Sequence, residues 1–307
     1  MSRLKKSDYL LTYMIIISFA CFVGGFFLGA TVMKGKMAAE LEWATKAERE
    51  NALRELMLKE QQLYREQDFV SFYYGVYLPL EEFRAAHFRY LDSLQGKPRE
   101  EQLNISEEMK KVVEKQREEV ENGIVPATSP LLVKAKTGYI NSLNAYTDGI
   151  LQVLDKNNLN ALTAEQIAAG RHLAPFYSLW LRAQADLYKA IALWESAYVT
   201  KQEIPEALPA TLDINQWKAY PFHLRNYWTA EYLAKQPTLA RYNPEDLTAR
   251  LDSVILTNQA ASLGWHDIPY AIRVLNTTSA VRQGDYHALR EKLYANVRMP
   301  EMPLFSE

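Results

Sequence analysis

Ser129 to Val153 reads SPLLVKAKTGYINSLNAYTDGILQV, and its apolar residues Leu132, Ala135, Tyr139, Leu143, Tyr146, Ile150 and Val153 step by three or four positions throughout. That is the period of one buried face of an α-helix, with Ser129-Pro130 supplying a start. Working outward, the same grammar recurs. Thr163 with Gln166 has capping-box spacing, and Leu162 with Ile167 is placed as a hydrophobic staple. The stripe that follows comprises Leu173, Tyr177, Trp180, Leu187, Ile191, Trp194 and Tyr198, with Pro175 expected to kink or split it. Upstream, Asn104 with Glu107 reads as a start ahead of Met109, Val112, Val113, Gln116 and Val120, and Asn122-Gly123 as the stop. Downstream, Asp213 with Gln216, the run Asn243-Pro244-Glu245-Asp246, and Gly284-Asp285 mark further starts, and Gly264 marks an end. No run alternates as a strand would. The expectation is an all-α chain of about nine helices without an internal repeat.

The N-terminal part differs in kind. Tyr9 to Met33, YLLTYMIIISFACFVGGFFLGATVM, carries no charge over 25 residues. As a helix it would reach roughly 37 Å, enough to cross a bilayer. Its apolar core continues past Ser18 and Ala20, which argues against a cleaved signal peptide, and the residues around Cys21 do not suit a lipoprotein site. Arg3, Lys5 and Lys6 precede the stretch and Lys34 and Lys36 follow it, a bias that favours a cytoplasmic N-terminus and an extracytoplasmic C-terminal domain. Cys21, Gly25 and Gly29 recur every four residues, a small-residue stripe on which two spanning helices could pack. The expected partition is a tail 1–8, an anchor 9–33, a helical stalk 34–78, a helical subdomain 79–204 and a second subdomain 205–307. The last boundary falls in the proline-containing, aperiodic segment Thr200 to Asp213.

Composition narrows the function. Apolar residues make up 48% of the 307, ample for a core, and the net charge of -2 leaves no electrostatic footprint for nucleic acid. The single cysteine excludes a disulfide framework, and a thiol-free domain suits an exported bacterial protein. The five histidines are scattered, with no HExxH or CxxC, so neither a metal nor another cofactor is expected. His87 lies among apolar residues and reads as a core or boundary histidine. There is no nucleophile elbow, Walker loop or dinucleotide turn.

The densest aromatic run, Trp217 to Tyr232, contains Trp217, Tyr220, His223, Arg225, Tyr227, Trp228 and Glu231. These could line a ligand groove or could belong to a helix packed all round. The reading is a non-enzymatic interaction or scaffold protein of a bacterial envelope, held by a single span, with a protein partner or a second copy. A ligand-binding sensory ectodomain built on that aromatic run is the alternative, and an envelope hydrolase using dispersed acids such as Asp186, Glu195 and Glu231 is the third.

Overall fold

The computed structural model describes residues 64–155, 163–168, 171–205, 207–236 and 238–306, with positions 14, 17–19, 21, 25, 33 and 46 before them. The chain divides into two compact units, Met1–Lys59 and Glu60–Glu307. The expected span Tyr9 to Met33, the position Gly29 and the stalk up to residue 63 lie largely outside the described residues. Among the described residues, no helix is long and apolar enough to cross a membrane.

The second unit is all-helical, and among the described residues it contains no strand. Its α-helices are α1 (Glu66–Phe72), α2 (Leu78–Ser93), α3 (Arg99–Asn122), α4 (Pro130–Val153), α5 (Ala164–Ala168), α6 (Ala174–Trp194), α7 (Ile214–Ala219), α8 (Phe222–Leu233), α9 (Pro244–Leu256), α10 (Gln259–Ser262), α11 (Ile268–Thr277) and α12 (Asp285–Tyr294). A π-helical turn, Tyr73–Tyr77, joins α1 to α2, and another, Glu195–Thr200, extends α6. These twelve exceed the nine expected because α5, α7 and α10 are each six residues or shorter, too brief to show a period in sequence.

Local chemistry explains most boundaries. Thr163 and Gln166 form the reciprocal capping box at α5, with Thr163 N–H donating to Gln166 Oε1 at 2.8 Å and Gln166 N–H to Thr163 Oγ1 at 3.0 Å. Asp213 with Gln216 does the same at α7, and Asn243 with Asp246 at α9. Pro175 splits rather than kinks: α5 ends at Ala168, and Pro175 sits in the first turn of α6, where its missing N–H costs no intrahelical bond. Gly284, at φ 88, opens α12, and Gly264, at φ 69, follows α10.

Two starts and stops differ from the sequence reading. Helix α3 begins at Arg99 behind Pro98, so Asn104 is an exposed mid-helix residue and caps nothing. At the other end Gly123 is extended (φ -60, ψ 131) rather than left-handed. Its glycine is required by space, because a Cβ there would stand 1.9 Å from the carbonyl oxygen of Gly75 in the π turn.

The core is built around α6. Its faces bury Tyr177, Trp180, Leu187, Ile191 and Trp194, but also Phe176, Leu181, Ala185, Tyr188 and Ala192, so most of its circumference is covered by the core, with Ser178 and Arg182 left on an exposed edge. Helix α4 covers one side with the whole stripe from Leu132 to Val153, each member at 0–1% exposure. Gly138 lets that side approach closely, since a Cβ there would lie 2.9 Å from Ala183 Cβ. Helix α8 covers another side. One helix thus belongs to the cores on both sides of residue 205, and residues 60–307 form one compact unit without a division there. The segment between α6 and α7 is also pinned: Trp228 Nε1 donates to Pro209 C=O at 3.3 Å, and Ile268 N–H to Leu212 C=O at 2.8 Å. At the N-terminal end, Phe69, Phe72, Val76 and Tyr77 are buried, so residues 66–78 contribute to the core of the unit.

Candidate functional site

The aromatic run Trp217 to Tyr232 folds into α7, a turn and α8, and its members face different neighbours. Trp217, 0% exposed, donates from Nε1 to Asp252 Oδ1 at 2.6 Å. Arg225 reaches the other oxygen of Asp252 at 2.6 Å while lying over the Trp217 ring at 5.8 Å, and Tyr294 Oη completes the set at 2.5 Å. Trp228 meets Trp217 edge-on, with centroids 6.0 Å apart. Helix α8 turns His223 elsewhere, into a buried aromatic contact with Trp194 and Phe305. Tyr227 and Glu231 face α6, where Arg182 makes a two-pronged contact with Glu231 at 2.7 and 3.0 Å and Lys189 lies 6.0 Å from the Tyr227 ring. Tyr220 is half-buried in the turn. Of the seven residues, Trp217, Arg225 and Trp228 come together around Asp252, and the other four do not join them.

Asp252 carries its charge among three donors. Burial pushes its carboxyl above the ordinary range, and the nearby Arg225, followed by the Tyr294 and Trp217 donors, pulls it back. The arrangement fastens α7, α8, α9 and α12 to one point. Glu195, in the π turn after α6, accepts the N–H groups of His223 (3.0 Å) and Leu224 (3.2 Å), serving the free donors at the start of α8 from another element. Burial nevertheless pushes its carboxyl up to about 7, against those two bonds and Arg225. Asp186 accepts from Lys134 at 3.0 Å and Arg182 at 3.3 Å. The three acids Asp186, Glu195 and Glu231 therefore serve in ion pairs and a helix start.

A second buried polar cluster lies where α2 meets α9. Arg84, 2% exposed, donates to Asn243 Oδ1 and Glu81, both at 2.7 Å, and Asn243 Nδ2 donates to Tyr77 Oη at 3.1 Å. Burial works against the Arg84 charge, yet Glu81, Tyr77 and Glu245 together hold its pKa above the usual value. Glu245 accepts from Tyr188 Oη. Its carboxyl is pushed up to about 8, first by burial and then by the adjacent Asp246 charge, against the Tyr188 bond. Asp246 accepts N–H from Asn243 (3.1 Å) within its own helix, and from Gly284 (3.1 Å) and Tyr286 (3.0 Å) at the start of α12. Of this cluster, sequence inspection identifies only the helix start Asn243 to Asp246. Arg84 and Asn243 are 159 positions apart, and no local pattern connects them.

His87 is enclosed by Phe83, Tyr146, Phe176 and Tyr177, with Tyr146 Oη 3.0 Å from Nδ1. Burial, with a smaller push from the Arg241 charge, lowers its pKa to about 3, so the ring is a neutral core group. Among the described residues, no group of three or more His, Cys, Asp or Glu side chains could hold a metal ion.

Two cavities open at the surface instead, lined by other residues. One, of about 410 Å³, is bounded by Arg65, Glu66, Trp194, Tyr198, Arg298 and Glu301. The other, of about 540 Å³, is bounded by Val70, Tyr74, Arg290, Val297, Met299 and Pro303 among others, and shares Glu301 with the first. Fold and site together define an all-helical protein whose buried polar groups mainly join its helices to one another. Comparison with family models, curated proteins and solved structures finds no match to this chain.

Proposed function

We propose that this chain is a membrane-anchored, non-enzymatic scaffold of a bacterial envelope, held by Tyr9 to Met33 with the helical unit outside the cytoplasm and its surface given to a protein partner. The observation that carries this reading is the employment of the buried acids. Glu195, Asp246 and Asp252 accept hydrogen bonds from helix starts and from side chains of neighbouring helices, and Asp186 is held by two cations. A general acid or nucleophile has to reach a substrate, and these groups are spent on the fold. The uncharged 25-residue stretch supplies the support for the anchor. The burial of Trp217, His223 and Trp228 takes support from a pocket on the aromatic run.

Protease treatment of spheroplasts carrying a C-terminal tag tests the topology. Loss of the tag from outside is the expected result. Protection until the membrane is opened would overturn the extracytoplasmic placement, and recovery of the chain in the soluble fraction would overturn the anchor.

A further inference from the structure

The cavity of about 410 Å³ lies outside the aromatic run Trp217 to Tyr232 and has the size of a small-ligand site. Its walls are rooted in the core. Tyr64, 2% exposed, roots the wall that carries Arg65 and Glu66, and Asp68 N–H donates to Arg65 C=O at 3.0 Å. Met302 and Phe305, both fully buried, root the tail that carries Arg298 and Glu301, and Tyr286 Oη donates to Phe305 C=O at 3.2 Å. The third wall is Trp194, at the end of α6, with Tyr198 in the π turn Glu195–Thr200. π turns recur at functional sites, and a cavity whose walls are already fixed can meet a ligand without first having to order them.

Donors on these walls outnumber their acceptors. Trp194 is 1% exposed, yet its indole N–H donates to no described group. Buried polar groups are nearly always paired, so such a donor marks a missing acceptor. Trp180 Nε1 is also unpaired but is sealed in the core, whereas Trp194 Nε1 is not sealed, and Trp194 opens on the cavity. Arg298 lies over the same ring at 5.9 Å and gives only Nη2 to Glu66, at 3.0 Å. The rest of its fork is left for a ligand. Arg65 is exposed, and among the described residues its side chain has no acceptor.

These donors select the chemistry of the ligand. A planar carboxylate accepts two parallel N–H groups from a guanidinium and keeps lone pairs for an indole. A phosphate offers similar oxygens with more negative charge, which Glu66 and Glu301 on the same walls would repel. Glu301 has no donor among the described residues and can take an N–H beside the carboxylate, as in an acylated amino acid. Tyr198, 38% exposed, offers its ring to an apolar side chain. We propose that this cavity binds the carboxylate of an N-acylated amino acid, free or at the C-terminus of a peptide. Arg65, Arg298 and the Trp194 N–H hold the carboxylate, and Glu301 takes the amide N–H. The site goes beyond the scaffold reading and does not depend on the anchor.

The test follows the indole N–H signals of the purified full chain, labelled with nitrogen-15 at tryptophan, with Trp194→Phe assigning the signal of Trp194. N-acetylphenylalanine at millimolar concentration should shift that signal downfield and saturate. N-acetylphenylalanine amide, which lacks the carboxylate, and inorganic phosphate should leave it in place. Arg65→Gln should weaken the response about tenfold, the loss expected for a hydrogen bond to a charged group. Arg273→Gln, on an exposed residue of α11 outside the cavity lining, should not. An unmoved Trp194 signal, an equal response to the amide, a stronger response to phosphate, or unchanged affinity in Arg65→Gln would each overturn the proposal. Acetylated alanyl-alanyl-phenylalanine then separates the two sources of the carboxylate. Binding at least as tight as that of N-acetylphenylalanine assigns the site to a chain terminus, and weaker binding assigns it to a small acid. None of these outcomes bears on the membrane topology, which the protease experiment reads by itself.

Discussion

Asp252 illustrates how a single buried carboxylate can hold several helices at once. Trp217 Nε1, Arg225 and Tyr294 Oη all donate to it, and these residues come from α7, α8 and the end of α12. Removing the acceptor strands an indole N–H, a phenol and a largely buried guanidinium together, and an unpaired buried charge is the costliest of these. Asp252→Ala is therefore expected to lower stability by about 3–5 kcal/mol, whereas Tyr294→Phe, which removes one donor and leaves the ion pair, should cost about 1 kcal/mol. Urea unfolding of the two variants checks this, and an alanine variant within about 0.5 kcal/mol of the parent would discard the account. Such a hub is not legible in sequence. Asp252 sits inside an ordinary helical run, and Trp217 is 35 positions away. The aromatic run around Trp217 was conspicuous for composition alone, and composition cannot tell a groove from a helix buried on every side.

Helix starts were far more legible, because their chemistry is complete within four residues. The boxes at Thr163, Asp213 and Asn243 and the glycines at 264 and 284 all stand where local rules place them. Asn104 had the same spacing but lost to Pro98, which opens α3 a turn and a half earlier behind polar residues that carry little periodic signal. What local rules do not reach is the second task of a cap. Asp246 closes the box on Asn243 and also takes the N–H groups of Gly284 and Tyr286, 38 and 40 positions on. Asp246→Ala should accordingly cost about 1–2 kcal/mol and expose two helix starts together. Hydrogen exchange at Asn243, Gly284 and Tyr286 would rise in concert. Faster exchange confined to Asn243 would show that α9 and α12 are held by packing and not through this carboxylate.

At the scale of the whole molecule, the buried titratable groups set a stability profile whose shape follows from opposed shifts. Glu195 and Glu245 are pushed up from 4.5 to about 7 and about 8, and His87 and His223 down from 6.5 to about 3, burial being the main cause in all four. A carboxyl raised in the folded state keeps its proton where the unfolded chain has lost it. Its stabilisation is thus complete below pH 4.5 and drains away as pH rises through the folded value. A histidine lowered in the folded state stays neutral where the unfolded chain is charged. Its stabilisation is complete above pH 6.5 and drains away as pH falls toward 3. Between pH 4.5 and 6.5 two losses and two gains oppose each other, giving a plateau. Above it only the carboxyl losses remain. From pH 6.5 to 8 they amount to on the order of 3 kcal/mol, or a fall in Tm of roughly 5–10 °C. Asp246 and Asp252, also raised by burial, soften the acid limb. Thermal unfolding of the purified chain from pH 4 to 9 reads the profile directly. Glu245→Gln should remove most of the alkaline fall, because the amide cannot ionise and can still accept from Tyr188, whereas His87→Phe should flatten the acid limb alone. A Tm that climbs from pH 6.5 to 8, or an alkaline fall untouched by Glu245→Gln, would mean that Glu245 is ionised in its buried place and that Arg84, rather than a proton, balances it.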